Sequence, residues 1–315
     1  MMPTPVGNDT DLINNFVEDC RLRGITEEST IRYKSTVSIF SKFLRENGKS
    51  VLNIDKNTLR DFVSYIQKDK KLSHKTLENY FSALSSFYEY LTYEEMVKSN
   101  PVLPVRKRYL RVYKEDSRPD GERQCPSIEE LSGFINSVTN IRDKAVATLL
   151  AKTGIRRGEL INSDIDDIKW KNQSVQLKPT AKRSNRIVFF DDECERVLKA
   201  WLRTRDKIAP KNCKALFVNN AGERLDRNGL YKNFNKWAVR YGLHNPKSDR
   251  IEEHFSPHCL RHWFTTHLVR NGMRREYIKE LRGDARKDAM DIYNHIDLED
   301  LRKAYLACIP LLGVG

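Results

Sequence analysis

Three separated stretches of the chain carry residue types that could act together on an anion. In "FSPHCLRHWFTTHL", residues 255–268, His258, Arg261 and His262 fall at i, i+3 and i+4, so one helix face carries all three. A guanidinium beside imidazoles at the start of a helix suits an anion, because the N-terminal amides add partial positive charge. In "TGIRRGEL", residues 153–160, a tight glycine turn separates a helix end from a new helix start. Arg156 sits at that turn, with Glu159 three residues on and able to hold it. A cation at a helix start opposes the dipole, which favours a functional role over a surface one. The third stretch, "GDARKDAMDIYNH", residues 283–295, puts Tyr293 on a very polar helical pattern. Read alone, that tyrosine is one more amphipathic helix residue. With a free pKa of ~10, it attacks nothing at neutral pH unless cations stabilise its phenolate. A metal reading of His258, Cys259, His262 and His267 lacks a carboxylate or fourth ligand, and Cys259 points off the histidine face. No metal is expected.

The elements that must position these residues belong to a chain of 315 residues, long enough for two domains with cores of their own. Hydrophobic content of 39% and charged content of 31% fit a soluble globular protein. No apolar run approaches the ~20 residues that span a bilayer. The start, "MMPTPVGNDTD", has no basic region followed by an apolar one, so a secretory signal is not expected. The expected location is the cytoplasm. Cysteines at 20, 125, 194, 213, 259 and 308 form no CxxC pair, which argues for reduced thiols and against a zinc ribbon.

Lys and Arg total 56 against 43 Asp and Glu, a formal charge of +13. Such an excess points to a polyanionic partner, with general solubility as the alternative. The distribution favours the partner. Residues 104–114, "PVRKRYLRVYK", hold five basic groups and no acid, and residues 168–190 hold six and no acid. Local fields of one sign are what a phosphate backbone selects.

Helical periodicity dominates the first hundred residues. One stripe runs through Leu12, Ile13, Phe16, Val17 and Cys20, and another through Ile31, Val37, Phe40, Phe43 and Leu44. Asn57 and Ser73 are expected to cap two further helices, and "SNP" at 99–101 ends the set. Residues 102–125 contain prolines, a glycine and many charges without a period, which predicts a basic linker. Ser127 and Glu130 then have capping-box spacing. "SVQLK" and "RIVFF" predict a hairpin, "ALFVNNAGERL" offers a short strand and turn, and the remainder returns to helices. Ser256 and Pro257 supply a cap and a first-turn proline.

"TGIRRGEL", "HCLRH" and "RGDARKDAMDIYNH", in that order and spacing, resemble the tyrosine recombinases, the phage-integrase and Xer-like family, and especially its archaeal integrase-like branch. The resemblance covers essentially the whole chain. It implies a mainly α fold with a small antiparallel β-sheet: an N-terminal helical core-binding (SAM-like) domain and a C-terminal α+β catalytic domain. The expected divisions are a DNA-binding domain at 8–103, a basic linker at 104–125, the catalytic domain at 126–306 and an apolar tail at 307–315.

The same resemblance implies roles. Arg156 and Arg261 match the two catalytic arginines, which bind the non-bridging oxygens of the scissile phosphate. His258 matches the histidine that helps move the nucleophile's proton, Glu159 the acid that supports the site from behind, and Tyr293 the nucleophile. The family's lysine, which protonates the leaving 5′-oxygen, lies on the hairpin connection. Lys182 fits it best and Lys178 is the alternative. One position departs from the pattern: Asp284 stands where many relatives have histidine or tryptophan. An ionised aspartate only accepts hydrogen bonds, so it would orient an arginine or the tyrosine's helix, with Arg282 or Arg286 supplying part of the lost charge.

The implied activity is site-specific cleavage and rejoining of double-stranded DNA through a covalent 3′-phosphotyrosyl link, as in an integrase of a mobile element. Guanidiniums and a lysine do the electrostatic work, so no cofactor, neither metal nor ATP, is expected. The two domains would clamp a duplex, with Arg32, Lys34, His74, Lys75, Arg106, Lys107, Arg108 and Arg111 toward it. The tail either packs on its own domain or, as relatives do, docks in a neighbour to give a homotetramer on paired sites. Two rivals share parts of this reading: a type IB topoisomerase-like enzyme that relaxes DNA, and a DNA-binding relative whose catalytic site has decayed.

Overall fold

The computed structural model describes residues 9–110, 124–179, 186–284 and 296–314. The chain forms two compact units, Met1–Ser117 and Arg118–Gly315. It is mainly helical with one small antiparallel sheet.

In the first unit the described helices are α1 (Asp9–Leu22), α2 (Glu27–Glu46), α3 (Lys56–Ser64), α4 (His74–Tyr93) and α5 (Val102–Tyr109). Their stripes meet in an aromatic core in which Phe40 and Phe62 pack edge to face, with ring centroids 4.8 Å apart. Ser73 caps α4 through the Thr76 amide at 3.3 Å, as its position predicts. Three expectations fail. Asp55, not Asn57, caps α3, accepting from the Thr58 amide at 2.8 Å. Ile31 is exposed, because the core-facing side of α2 runs through Thr30, Val37, Phe40 and Leu44 and leaves it off that face. Residues 104–109, read as the start of a linker, belong to α5, whose Val102 and Val105 are buried in the core. Pro104 is tolerated there because first-turn amides have no partner inside a helix. So short a helix is held by its buried face rather than by propensity.

The second unit opens with α6 (Ile128–Ser137), whose capping box forms as spaced: Ser127 Oγ accepts from the Glu130 amide, and Glu130 accepts from the Ser127 amide. Behind it α7 (Ile141–Thr153) is buried along nearly its whole length. The short α8 (Arg157–Asn162) leads to the sheet, β1 (Ile168–Lys169), β2 (Ser174–Leu177) and β3 (Arg186–Phe189), antiparallel in that order. The expected hairpin is β2–β3, with Val175 opposite Val188 and Leu177 opposite Arg186. Its third strand is β1. The "ALFVNNAGERL" stretch contributes only isolated bridges, Asp164 with Ala215 and Val218 with Arg224. Helices α9 (Asp192–Arg205), α10 (Arg227–Tyr241), α11 (Pro257–Arg270), α12 (Arg275–Arg282) and α13 (Leu298–Cys308) complete the described elements.

Helix α13 carries the chain past residue 306, where a tail was expected to begin, and the following residues pack on their own unit. Leu312 and Val314 are buried in its core. Glu193 accepts from the amides of Leu312, Gly313 and Val314 at 2.8, 2.6 and 3.3 Å. The fully buried Lys152 donates to Asp191, to Glu193 and to the Pro310 carbonyl at 2.5, 2.6 and 2.7 Å. A buried ammonium is tolerated only with such partners. No helix among the described residues is long and apolar enough to cross a membrane.

Candidate active site

The site is assembled around the turn that ends α7. Gly154 takes a left-handed conformation, φ +59°, and a Cβ there would lie 2.3 Å from the Phe264 ring. Only glycine meets both conditions. The turn leaves Arg156 just ahead of α8, its amide donating to Glu159 Oε2 at 2.7 Å. Arg261, on the buried face of α11, donates from Nη1 to the Gly154 carbonyl at 2.7 Å.

Both guanidiniums then converge on one backbone oxygen. The Arg282 carbonyl, at the end of α12, accepts from Arg156 Nη1 at 3.0 Å and from Arg261 Nη2 at 2.8 Å. Asp284 follows two residues later. Its Oδ1 lies 3.6 Å from Arg156 Nη2 and 3.4 Å from Arg261 Nη2, and its Oδ2 lies 2.9 Å from Arg282 Nε. Burial, reinforced by the charges of Arg156 and Arg282, pushes Arg261 down to about 9 despite Asp284 and Glu159. It stays cationic at neutral pH, in surroundings that favour a further anion.

Glu159 is held mainly by a residue that sequence reasoning passed over. Arg186, at the start of β3, donates from Nη1 and Nη2 to Oε1 and Oε2 at 2.8 and 2.9 Å, and from Nε to the Leu281 carbonyl at 3.1 Å. Burial works to raise the Glu159 carboxyl, but the Arg186 hydrogen bonds and charge, with Arg156, outweigh it and hold the group below its usual range. Arg186 is one of several basic residues in a basic stretch. Its only sequence signal is a charge on a strand whose neighbours face the core.

His258 lies on the exposed face of α11, its ring 4.9 Å from that of His262. Cys259 turns back instead, to the Ser256 amide and the His254 carbonyl, and His267 is buried against Trp263. Among the described residues no group of three or more His, Cys, Asp or Glu could hold a metal. Lys178, the alternative lysine, is engaged by the Asp164 carboxylate and by the Asn162 carbonyl at 3.0 Å. Lys182, Arg286, Tyr293 and Arg111 lie outside the described residues.

Two grooves of the first unit are lined by some of its basic residues. Lys75, Arg106 and Lys107 line an open groove between α4 and α5 together with Asn79 and Ser82. Arg106 donates to Ser82 Oγ at 3.2 Å, and the groove's one acid, Glu78, is paired with Lys75. Lys34 lines a different groove, between α1 and α2, and donates to Asn14 at 3.2 Å. Arg32, Lys107 and Arg108 are exposed, and His74 is half-buried.

The chain thus joins a helical first unit to a second unit in which a small antiparallel sheet backs two arginines, Arg156 ahead of α8 and Arg261 within α11. The chain belongs to the phage integrase family: residues 126–299 match the Phage integrase family, and residues 12–97 match its N-terminal SAM-like domain. It is 31% identical over 270 residues to the tyrosine recombinase XerC of Pelotomaculum thermopropionicum, covering 82% of each chain. It is 28% identical over 305 residues to the tyrosine recombinase XerD of Oceanobacillus iheyensis, covering 95% of this chain and 98% of that one. The fold recurs in the Tn1549 transposon integrase in complex with a circular intermediate DNA, with a TM-score of 0.68 and 17% identity over 93% of this chain and 97% of that one. It recurs again in the XerH site-specific recombinase bound to palindromic difH substrate, with a TM-score of 0.64 and 24% identity over 93% and 83%.

Proposed function

We propose that this chain is a site-specific DNA recombinase of the tyrosine type, acting as an integrase on double-stranded DNA. The observation that carries the reading is the convergence of Arg156 and Arg261 on the Arg282 carbonyl. It fixes two guanidiniums side by side, each with a nitrogen within 3.6 Å of Asp284 Oδ1, and two such donors on one anion suit phosphoryl transfer. In this reading Tyr293 attacks the scissile phosphate and forms a 3′-phosphotyrosyl bond while the 5′-oxygen leaves. Arg156 and Arg261 hold the non-bridging oxygens, Glu159 fixes Arg156, and His258 moves the tyrosine's proton. Lys182 protonates the leaving oxygen, since Lys178 is already committed to Asp164 and the Asn162 carbonyl. The link conserves the bond energy, so rejoining needs no ATP.

The arginine cluster of the second unit and the groove of Lys75, Arg106 and Lys107 in the first each take phosphates of one duplex. Exchange between two duplexes cuts four strands with one tyrosine for each, which calls for four copies on paired sites. The test is a nicked "suicide" duplex carrying the cognate site. A covalent adduct should form and should vanish in Tyr293→Phe. No adduct, or one that persists in that variant, sinks the assignment.

A further inference from the structure

Three arginines face Asp284, and they stand differently. Arg261 Nη2 donates a long hydrogen bond to Oδ1 at 3.4 Å, and Arg156 Nη2 lies 3.6 Å from the same oxygen, beyond hydrogen-bond length. Arg282 Nε lies 2.9 Å from Oδ2, yet it is buried and makes no hydrogen bond. A buried donor without an aligned acceptor is costly, and this one lies beside the carboxylate that Arg156 and Arg261 also face. The Asp284 side chain is 34% exposed, so it can leave for water. Arg186 engages both oxygens of Glu159, whose Oε1 also lies 3.6 Å from Arg156 Nη1.

We propose that the Asp284 carboxylate occupies the seat of a tetrahedral phosphate, and that Arg282 is the third guanidinium that holds the phosphate there. In the DNA-free chain the carboxylate stands in for the ligand. An arriving phosphate displaces it, takes the donors of Arg156 and Arg261, and gives Arg282 Nε the acceptor it lacks. Arg282 thus acts twice: its carbonyl clamps the other arginines, and its side chain adds a donor. That donor replaces what an aspartate at 284 cannot provide. Burial of Arg261 beside two like charges strengthens the demand for an anion. The inference rests on the recombinase reading only in taking the phosphate to be that of DNA.

The test is calorimetric binding of inorganic phosphate to the full chain at low ionic strength, with thermal melting to confirm folding. Asp284→Asn removes the competing charge at nearly constant shape and should bind phosphate ~tenfold more tightly. Arg282→Gln keeps the clamping carbonyl and should bind it about five-fold more weakly, with Arg282→Lys recovering part of the loss. Asp284→Asn binding no more tightly than the unsubstituted chain overturns the displacement, and unchanged affinity in Arg282→Gln overturns the third ligand. Should Asp284→Asn not fold, Asp284→Ser takes its place in the same comparison. The readout needs no DNA. Phosphate binding as expected without a DNA adduct sinks the recombinase reading alone, and an adduct with unaltered phosphate affinities sinks this inference alone.

Discussion

Arg186 grips Glu159 with both terminal nitrogens, at 2.8 and 2.9 Å, and both side chains are almost wholly buried. Glu159 in turn receives the Arg156 amide, and Arg186 Nε holds the Leu281 carbonyl. One guanidinium on the sheet therefore sets both the start of α8 and the end of α12, between which Arg156 and Arg261 meet.

Arg186→Met should destabilise the second unit by about 3–5 kcal/mol, because it leaves the Glu159 carboxylate buried without its partner. Adding Glu159→Gln should recover part of that loss. Urea unfolding of the single and double variants checks this, and strictly additive losses would show the pair to be energetically independent.

Gly154→Ala should cost ~2 kcal/mol or more, from a disfavoured positive φ and from the clash with Phe264. The clash displaces the carbonyl that receives Arg261, so strand cleavage should fall along with the melting temperature. A variant with full stability and full activity contradicts this account of the turn.

Acid should loosen the C-terminal segment. Burial works to raise Glu193, but the Lys152 hydrogen bond and charge, with the amides of Leu312 and Gly313, outweigh it and hold the carboxyl below its usual range. A carboxylate lowered on folding contributes stability that is complete above its unfolded value of ~4.3 and is lost as pH falls through the folded one. Stability should therefore drop with acidification, and the drop should be shallower in Glu193→Gln. Proteolysis near residues 309–314, followed against pH, gives the local readout, and identical pH profiles in the two proteins would refute the assignment.

Arg106→Ala and Lys107→Ala should each weaken binding to all duplex sequences alike and lower the salt slope by about one unit, as expected of phosphate contacts. Lys34→Ala, in the other groove, should do less. A loss confined to one DNA sequence would instead indicate contact with a base.

Much of the fold was legible along the chain because it is written in local signals. The periodic stripe of α1, the Ser73 and Ser127 caps and the β-prone runs of β2 and β3 all act within a few residues. Helix α5 was not legible: Pro104 and a run of charges hide it, and its stability comes from Val102 and Val105 meeting helices distant in sequence. The residue types of the candidate site, Arg156, Glu159, His258, Arg261 and Asp284, were legible as motifs. Arg186 was not, because its partner lies 27 residues away and nothing local marks the pairing.

By itself, then, the sequence determined the helical elements other than α5, the basic character and the order of the chemically able residues, all properties of short windows. The tertiary structure alone decided that two arginines share the Arg282 carbonyl, that Asp284 stands among three guanidiniums, and that residues 309–314 close on Glu193 of their own unit. Those are contacts between segments as far apart in the chain as Arg156 and Asp284. They exist because buried polar groups must find partners wherever the packed core brings them.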